Sequence, residues 1–228
     1  MKNKEFTIDI DGKAVKVYIK KPNYAETKEI DLQYRKIYSE AVRMGIMTKP
    51  EALKQHAKTG TWTNDDENII MAMQIEIVDL EDKIKGDKKL QDEDCEDIVL
   101  NLVQKRNAFL SKVNTKTELL ASTAEEIATD QKIYRFVELC LRKSDGSKFF
   151  ENREAYEKFM EDYPDQFSYI FKMAYYFNFN VDDDFGATWP EVIWLKNKAE
   201  ESIKKHTDEQ NVENVENVEA ETSSENSQ

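Results

Sequence analysis

Residues 70–84 read Ile-Met-Ala-Met-Gln-Ile-Glu-Ile-Val-Asp-Leu-Glu-Asp-Lys-Ile, with apolar side chains recurring at three-four spacing. This spacing places one set on a single face of an α-helix: Ile70, Met73, Ile77, Leu80 and Ile84. Lys85-Gly-Asp87 interrupts the run, and a second set repeats the spacing: Cys95, Val99, Leu102, Arg106, Phe109 and Val113. Two such helices, joined by a short polar link, predict an antiparallel, coiled-coil-like αα-hairpin.

One charged residue, Arg106, falls on the second of these apolar seams. A long basic side chain at such a position usually lays its methylene groups on apolar surface and keeps its guanidinium in water. We expect Arg106 to do this at the rim of the hairpin rather than to bind a ligand.

The beginning of the chain predicts a β-hairpin. Phe6, Ile8 and Ile10 alternate with polar residues, and so do Val15, Val17 and Ile19. Asp11-Gly12 lies between the two runs and is a dipeptide typical of a type I′ turn, which needs positive φ angles. Pro22 ends the second strand. One apolar face of this ribbon must be covered, because an isolated hairpin is only marginally stable.

Helical signals fill the chain from residue 23 to about residue 205. Three capping boxes, each a Ser or Thr followed three positions later by Glu, predict helix starts at Thr48, Ser122 and Thr188. The predicted fold is mainly α with a short N-terminal β-hairpin, a long αα-hairpin and a compact C-terminal helical bundle. Its predicted segments are a β-hairpin (1–22), a helical region with the αα-hairpin (23–119), a compact aromatic-rich helical region (120–205) and a tail (206–228).

Charge is distributed unevenly along the 228 residues, whose formal net charge is −13. The last segment, 206–228, has seven acidic residues, no Lys or Arg, and an Asn-Val-Glu triplet repeated three times. Such a composition does not bury enough apolar surface to offset its conformational entropy, so we predict a disordered acidic tail. No basic stripe suited to phosphates is present, which argues against nucleic-acid binding.

Catalytic chemistry has little support in the sequence, and we expect neither an enzyme nor a bound cofactor. The two histidines, His56 and His206, belong to no recognisable triad, and the two cysteines predict reduced thiols. Asp182, Asp183 and Asp184 are weak candidates for a metal site, but a solvated turn is the better interpretation. No stretch approaches the ~18 apolar residues that span a membrane, so we expect a cytoplasmic protein without membrane contact.

Two surfaces are candidates for binding a partner protein. Lys13, Lys16 and Lys20 place charge along what we expect to be an exposed hairpin edge. Aromatic residues crowd positions 167–194, and most of them should be core. Trp189 and Trp194 lie five residues apart and so on different faces of a helix; we expect Trp194 to be core and Trp189 to be a partly exposed anchor.

Several short motifs follow one another along residues 4–197, among them Gly60-Thr-Trp-Thr-Asn-Asp-Asp-Glu67, Tyr134-Arg-Phe-Val-Glu-Leu-Cys140, Asp145-Gly-Ser-Lys-Phe149 and Asp182-Asp-Asp-Phe185. Their order resembles that in a group of small virion-associated proteins of contractile-tailed bacteriophages. In that group the chain continues into Gly- and Asp-rich repeats, where this one has its Asn-Val-Glu tail. The plan of a short β element, a helical body and an acidic end is also similar to that of phage tail-assembly chaperones.

The resemblance implies a structural or assembly protein whose partners are other phage structural proteins, located in the host cytoplasm or in the virion. Two alternatives follow from the resemblance: a component that stays in the particle, and a chaperone that leaves before tail assembly is complete. The residues themselves leave a third open, a metal-dependent hydrolase using Asp182–Asp184. The last is the weakest, because no other ligand set is fixed near these residues in the sequence.

Overall fold

The computed structural model describes residues 3–86, 92–182 and 184–204, and its fold is mainly α with an N-terminal β-hairpin, as the sequence predicts. The strands are β1 (Lys4–Ile10), β2 (Lys13–Ile19) and β3 (Leu141–Lys143). The helices are α1 (Tyr24–Arg43), α2 (Lys49–Thr59), α3 (Asn64–Gly86), α4 (Asp92–Leu120), α5 (Ala124–Cys140), α6 (Arg153–Asp162), α7 (Pro164–Phe179), a 3₁₀ turn (Phe185–Thr188) and α8 (190–204).

These elements form two compact units. The first comprises the described residues of Met1–Met71 and Phe109–Asp183, and the second those of Ala72–Ala108 and Asp184–Gln228. Each unit therefore joins stretches of the chain that are distant in sequence. In the first unit, residues of the predicted segments 1–22 and 120–205 share one hydrophobic core. The predicted tail, 206–228, lies outside the described residues.

The β-hairpin of the first unit has the predicted strands and turn. Asp11 and Gly12 have φ angles of 53° and 75°, as a type I′ turn requires, and Ile10 pairs with Lys13 across it. The alternating residues share one face that joins the core: Phe6, Ile8, Ile10, Val15, Val17 and Ile19. The period-2 pattern thus predicted both the strands and the buried face.

A third strand, β3, was not predicted. It pairs antiparallel with β2, matching Val17 with Lys143 and Ile19 with Leu141, so that β2 is the central strand of the sheet. The strand has only three residues and follows directly on the apolar end of α5, where the sequence continues the helical pattern. Its local signal is therefore too short to distinguish a strand from a last helical turn.

Helix α5 lies at the centre of the first unit's core and packs against both α1 and α7, while α7 also contacts β1. Its buried side chains extend along the helix: Ala124, Ala128, Ile133, Phe136, Val137 and Cys140. Burial raises the pKa of the Cys140 thiol to about 12, so this cysteine stays protonated and behaves as a small apolar residue.

The predicted capping box at Ser122 is wrong. Thr123 is the N-cap of α5, and the Glu125 carboxylate instead accepts the backbone N–H of Lys49 at 2.8 Å, at the first residue of α2. A carboxylate at that position is favoured by the unpaired N–H groups and the dipole of a helix N-terminus. Glu125 therefore helps to cap a helix 76 residues earlier in the chain. The box predicted at Thr48 does form with its own Glu51.

Helices α3 and α4 lie side by side in each unit, as the predicted antiparallel hairpin requires. In the first unit the beginning of α3 contacts the end of α4, where Lys112 binds Asp66 at 2.6 Å. In the second unit the end of α3 packs on the first half of α4. The buried residues there are those of the two predicted seams: Ile77, Leu80, Val99 and Leu102.

Acid should weaken the first unit through Asp66. The carboxylate accepts hydrogen bonds from the Lys112 ammonium and from the N–H and hydroxyl of Thr63, which together lower its pKa to about 2. A pKa below the unfolded value of about 3.9 stabilises the fold above that pH, and the contribution is lost as pH falls from about 4 to 2. Urea unfolding at pH 2–6 should show Asp66→Asn less stable than the native chain near pH 6 and the two converging near pH 2.

The exposed neighbour Asp65 provides the control, because its substitution by Asn removes the same charge without removing the bond to Lys112. Asp65→Asn should follow the native pH profile. Native and Asp66→Asn profiles that stay parallel over the whole range would contradict the role of this carboxylate.

Candidate interaction surface

The start of α8 is organised by Glu191, although not as the sequence predicts. The predicted capping box joins Glu191 to Thr188, but the Thr188 hydroxyl donates to the carbonyl of Phe185 at 2.7 Å. The Glu191 side chain is 2% exposed and accepts hydrogen bonds from Nε and Nη2 of Arg106 on α4. The box at Thr188 is therefore wrong, because a buried guanidinium takes the carboxylate.

Arg106 is the centre of this cluster in the second unit. Its side chain is 11% exposed, it binds Glu81 of α3 as well as Glu191, and its guanidinium lies 4.3 Å from the ring centroid of Trp189. The expectation of a solvent-facing guanidinium at the rim is wrong. Two carboxylates and an aromatic face replace the water that Arg106 loses.

Arg106 and Glu81 stay charged at neutral pH. Burial by itself would lower the pKa of Arg106, but hydrogen bonds to Glu191 and Glu81 outweigh it and raise that pKa. For Glu81, burial would raise the pKa, whereas hydrogen bonds from Arg106 and Lys85 lower it. The arrangement therefore ties α8 to α3 and α4 through ionic hydrogen bonds.

Much of the apolar surface of the second unit is not covered. In its described part, the buried large apolar side chains are Ile77, Leu80, Val99 and Leu102. The exposed ones are twice as many: Ile75, Val78, Leu100, Phe185, Val192, Ile193, Leu195 and Ile203. Where such residues form a contiguous patch, the patch is typical of a region that binds another protein.

A groove in this surface lies between the end of α3 and the first turns of α8. Its volume is about 260 Å³, and it is lined by Ile84, Lys85, Thr188, Pro190, Ile193, Trp194 and Asn197. This is below the ~300–1,000 Å³ of typical small-molecule pockets. The groove is better suited to one or two apolar side chains of a partner, and Ile193, 47% exposed, lies on its wall.

The two tryptophans that the sequence singled out are placed differently from expectation. Trp189 is partly exposed as predicted, with Phe185 edge-on to its ring at 6.1 Å. Trp194 is not core: it is partly exposed and lines the groove, with the Lys198 ammonium 5.5 Å from its ring.

The buried tryptophan is Trp62, which the sequence analysis did not single out. It is 3% exposed, and its indole N–H donates to the Glu67 carboxylate at 2.7 Å. A usable signal was present, because Trp62 stands between the helix stop at Gly60 and the start of α3. An aromatic residue at such a junction often packs against the helix that follows.

A neighbouring strand or a side-chain contact occupies part of the predicted hairpin edge. Lys13 and Lys16 are exposed on β2, in the half that extends beyond its pairing with β3. Lys20 is partly buried and binds Glu26, so the prediction that it lies on an open edge is wrong. On β1, the backbone N–H of Asp9 donates to the Gln166 side chain at 3.2 Å, which occupies part of the other edge.

The aspartate cluster gains no support as a metal site. Asp182 and Asp184 are both exposed, and Asp183 lies outside the described residues. Over residues 3–86, 92–182 and 184–204, no group of three or more His, Cys, Asp or Glu side chains is arranged to hold a metal ion. In the same ranges, no helix combines the length and apolar character needed to cross a membrane.

Comparison of the sequence with protein-family models and with curated proteins found no match, and comparison of the fold with solved structures found none either. The likeness to phage proteins therefore rests on the sequence motifs alone. The interaction surface rests on the geometry described above.

Proposed function

We propose that the chain is a non-catalytic structural or assembly protein of a contractile-tailed bacteriophage, and that it acts through protein–protein contacts. The observation that supports the interaction role is the second unit, whose described part leaves more large apolar side chains exposed than it buries. Such a surface is costly in water unless a partner covers it. The phage context is supported by the ordered sequence motifs.

Two versions of this function differ in the fate of the protein. As a virion component it stays in the finished particle, with the apolar surface of α8 permanently covered. As a tail-assembly chaperone it covers an aggregation-prone partner for a time and leaves before the tail is complete. Mass spectrometry of particles purified after infection separates the two: the virion component is present in stoichiometric amounts, and the chaperone is found only in lysates, bound to unassembled tail proteins.

Ile193 should be required for partner binding. In Ile193→Ser the groove beside α8 loses an apolar wall, and we expect capture of phage structural proteins by the tagged chain to fall at least tenfold, or about 1.4 kcal/mol. The fold should be unchanged, since surface substitutions usually alter stability by less than about 0.5 kcal/mol. Capture during infection, followed by quantitative mass spectrometry, measures the change.

Val42 on α1 is the matched control, because it is a β-branched residue of the first unit with 43% exposure against 47% for Ile193. Val42→Ser should capture the same proteins as the native chain. Equal capture by both variants would show that the partner does not use the groove, and capture of no phage structural protein by the native chain would contradict the proposed function itself.

A further inference from the structure

Helix α3 is apolar on two opposite faces. The seam that contains Ile77 and Leu80 is buried in the hairpin. Ile75 and Val78, both in the second unit, are 58% and 49% exposed, and they lie three positions apart on the same helix. At 100° per residue this second stripe points about 150° away from the seam. It has the spacing by which one helix packs along another.

Acidic residues adjoin this stripe. Asp79 and Asp82 are exposed and continue the outer face of α3 beyond Val78. Over its described residues, the second unit carries 13 Asp and Glu against seven Lys and Arg. Three of those basic residues, Lys85, Lys105 and Arg106, are bound to glutamates of α3. The apolar stripe is therefore presented within a field of negative charge, which attracts cations and repels other acidic surfaces.

The negative charge distinguishes three possible occupants of this face: a second copy of the chain, the chain's own segment 206–228, and a helix of a partner protein. A second copy of the chain would bring the same excess of acidic residues toward this one, and like charges across an interface cost free energy. The chain's own segment 206–228 has seven acidic residues and no Lys or Arg, so its charge is also of the wrong sign. A helix with an apolar stripe bordered by Lys and Arg matches both the apolar side chains and the negative charge of this face.

We infer that the outer face of α3 in the second unit, built on Ile75 and Val78, is a docking site for an amphipathic helix of a partner protein, with basic residues on both sides of its apolar stripe. The inference rests on the proposed function and adds the chemistry of the partner. The apolar residues supply affinity, and Asp79 and Asp82 supply orientation and a faster association.

Three synthetic 21-residue peptides test the site with the full chain. The first has a leucine stripe bordered by Lys, the second the same stripe bordered by Glu, and the third the composition of the first in scrambled order. Fluorescence anisotropy should give the first peptide a Kd at least tenfold lower than either of the others. Its binding should weaken as salt rises from 50 to 500 mM, because the Debye length shortens.

Two variants connect the binding to this face. Ile75→Ser combined with Val78→Ser should weaken binding of the first peptide at least tenfold, and Asp79→Lys combined with Asp82→Lys should shift the preference toward the Glu-bordered peptide. Leu32→Ser is the control, since Leu32 is 64% exposed on α1 in the first unit. Circular dichroism should show unchanged helicity in all of them.

Two results would overturn the inference. Equal affinity of the native chain and the Ile75→Ser/Val78→Ser variant would mean that the peptide binds acidic surface elsewhere. A dimer that sedimentation detects in the native chain and not in this variant would assign the face to a second copy. Either result leaves the proposed function intact if phage proteins are still captured and the capture still depends on Ile193.

Discussion

Arg106→Ala should destabilise the second unit by about 3–5 kcal/mol, the largest effect expected of a single substitution in this protein. The change leaves the Glu191 carboxylate, 2% exposed, without the guanidinium that binds both of its oxygens. It also removes the cation from the face of Trp189 and one partner from Glu81. An unpaired buried charge costs far more than the net contribution of the pair, which is why the loss should be so large.

Urea unfolding followed by tryptophan fluorescence measures this loss, and hydrogen exchange over residues 190–204 locates it. Lys105→Ala is the matched control: the preceding residue on the same helix also binds a glutamate, Glu76, but both of these side chains are at least 40% exposed. An exposed ion pair contributes about 0–1 kcal/mol, so Lys105→Ala should change the free energy of unfolding very little.

Arg106→Lys separates charge from geometry. The ammonium retains the positive charge but does not reproduce the planar fork that reaches both carboxylates, so we expect a loss between those of the other two variants. If Arg106→Ala and Lys105→Ala cost the same, within about 0.5 kcal/mol, the cluster does not hold α8, and the buried position of Glu191 has another cause.

The elements of the fold were predictable wherever the signal repeats along the chain. The alternation of Phe6, Ile8 and Ile10 predicted a strand and its buried face, and the three-four spacing of residues 70–84 and 95–113 predicted two helices with their seams. A periodic pattern predicts an element reliably because several residues indicate the same helix or strand, so one residue that departs from the pattern does not change the prediction.

The partners of single charged residues were not predictable in the same way. Glu125 and Glu191 both stand where a capping box needs them, yet one caps α2 and the other binds Arg106. A local motif predicts that a carboxylate near a helix start is favourable, but it does not predict which N–H donor the tertiary structure brings closest to that carboxylate. The same limit explains the wrong expectation for Arg106, whose partners lie 25 and 85 residues away.

The location of the candidate surface was predictable from the sequence, but the identity of its exposed residues was not. The aromatic crowding near Trp189 indicated the correct region, but the most exposed apolar residues of α8 are aliphatic, and Trp194, expected to be core, is partly exposed. Val192 and Leu195, three positions apart, lie on one side of α8, and Ile193 points about 100° away from Val192. Sequence shows that these side chains are apolar, whereas only the tertiary structure shows how few of them the second unit covers.

Leu102→Ala should destabilise the second unit by about 2–4 kcal/mol, because Leu102 is fully buried between α3 and α4 and its removal leaves a cavity. Leu100, two positions earlier on α4, is 49% exposed and gives a control with the same chemistry. Leucine and alanine are both good helix formers, so helix propensity contributes little to either change, and Leu100→Ala should stay within about 0.5 kcal/mol. Urea unfolding of the two variants measures the difference. If Leu102→Ala also costs less than about 0.5 kcal/mol, the seam is open in the free protein and is itself available to a partner.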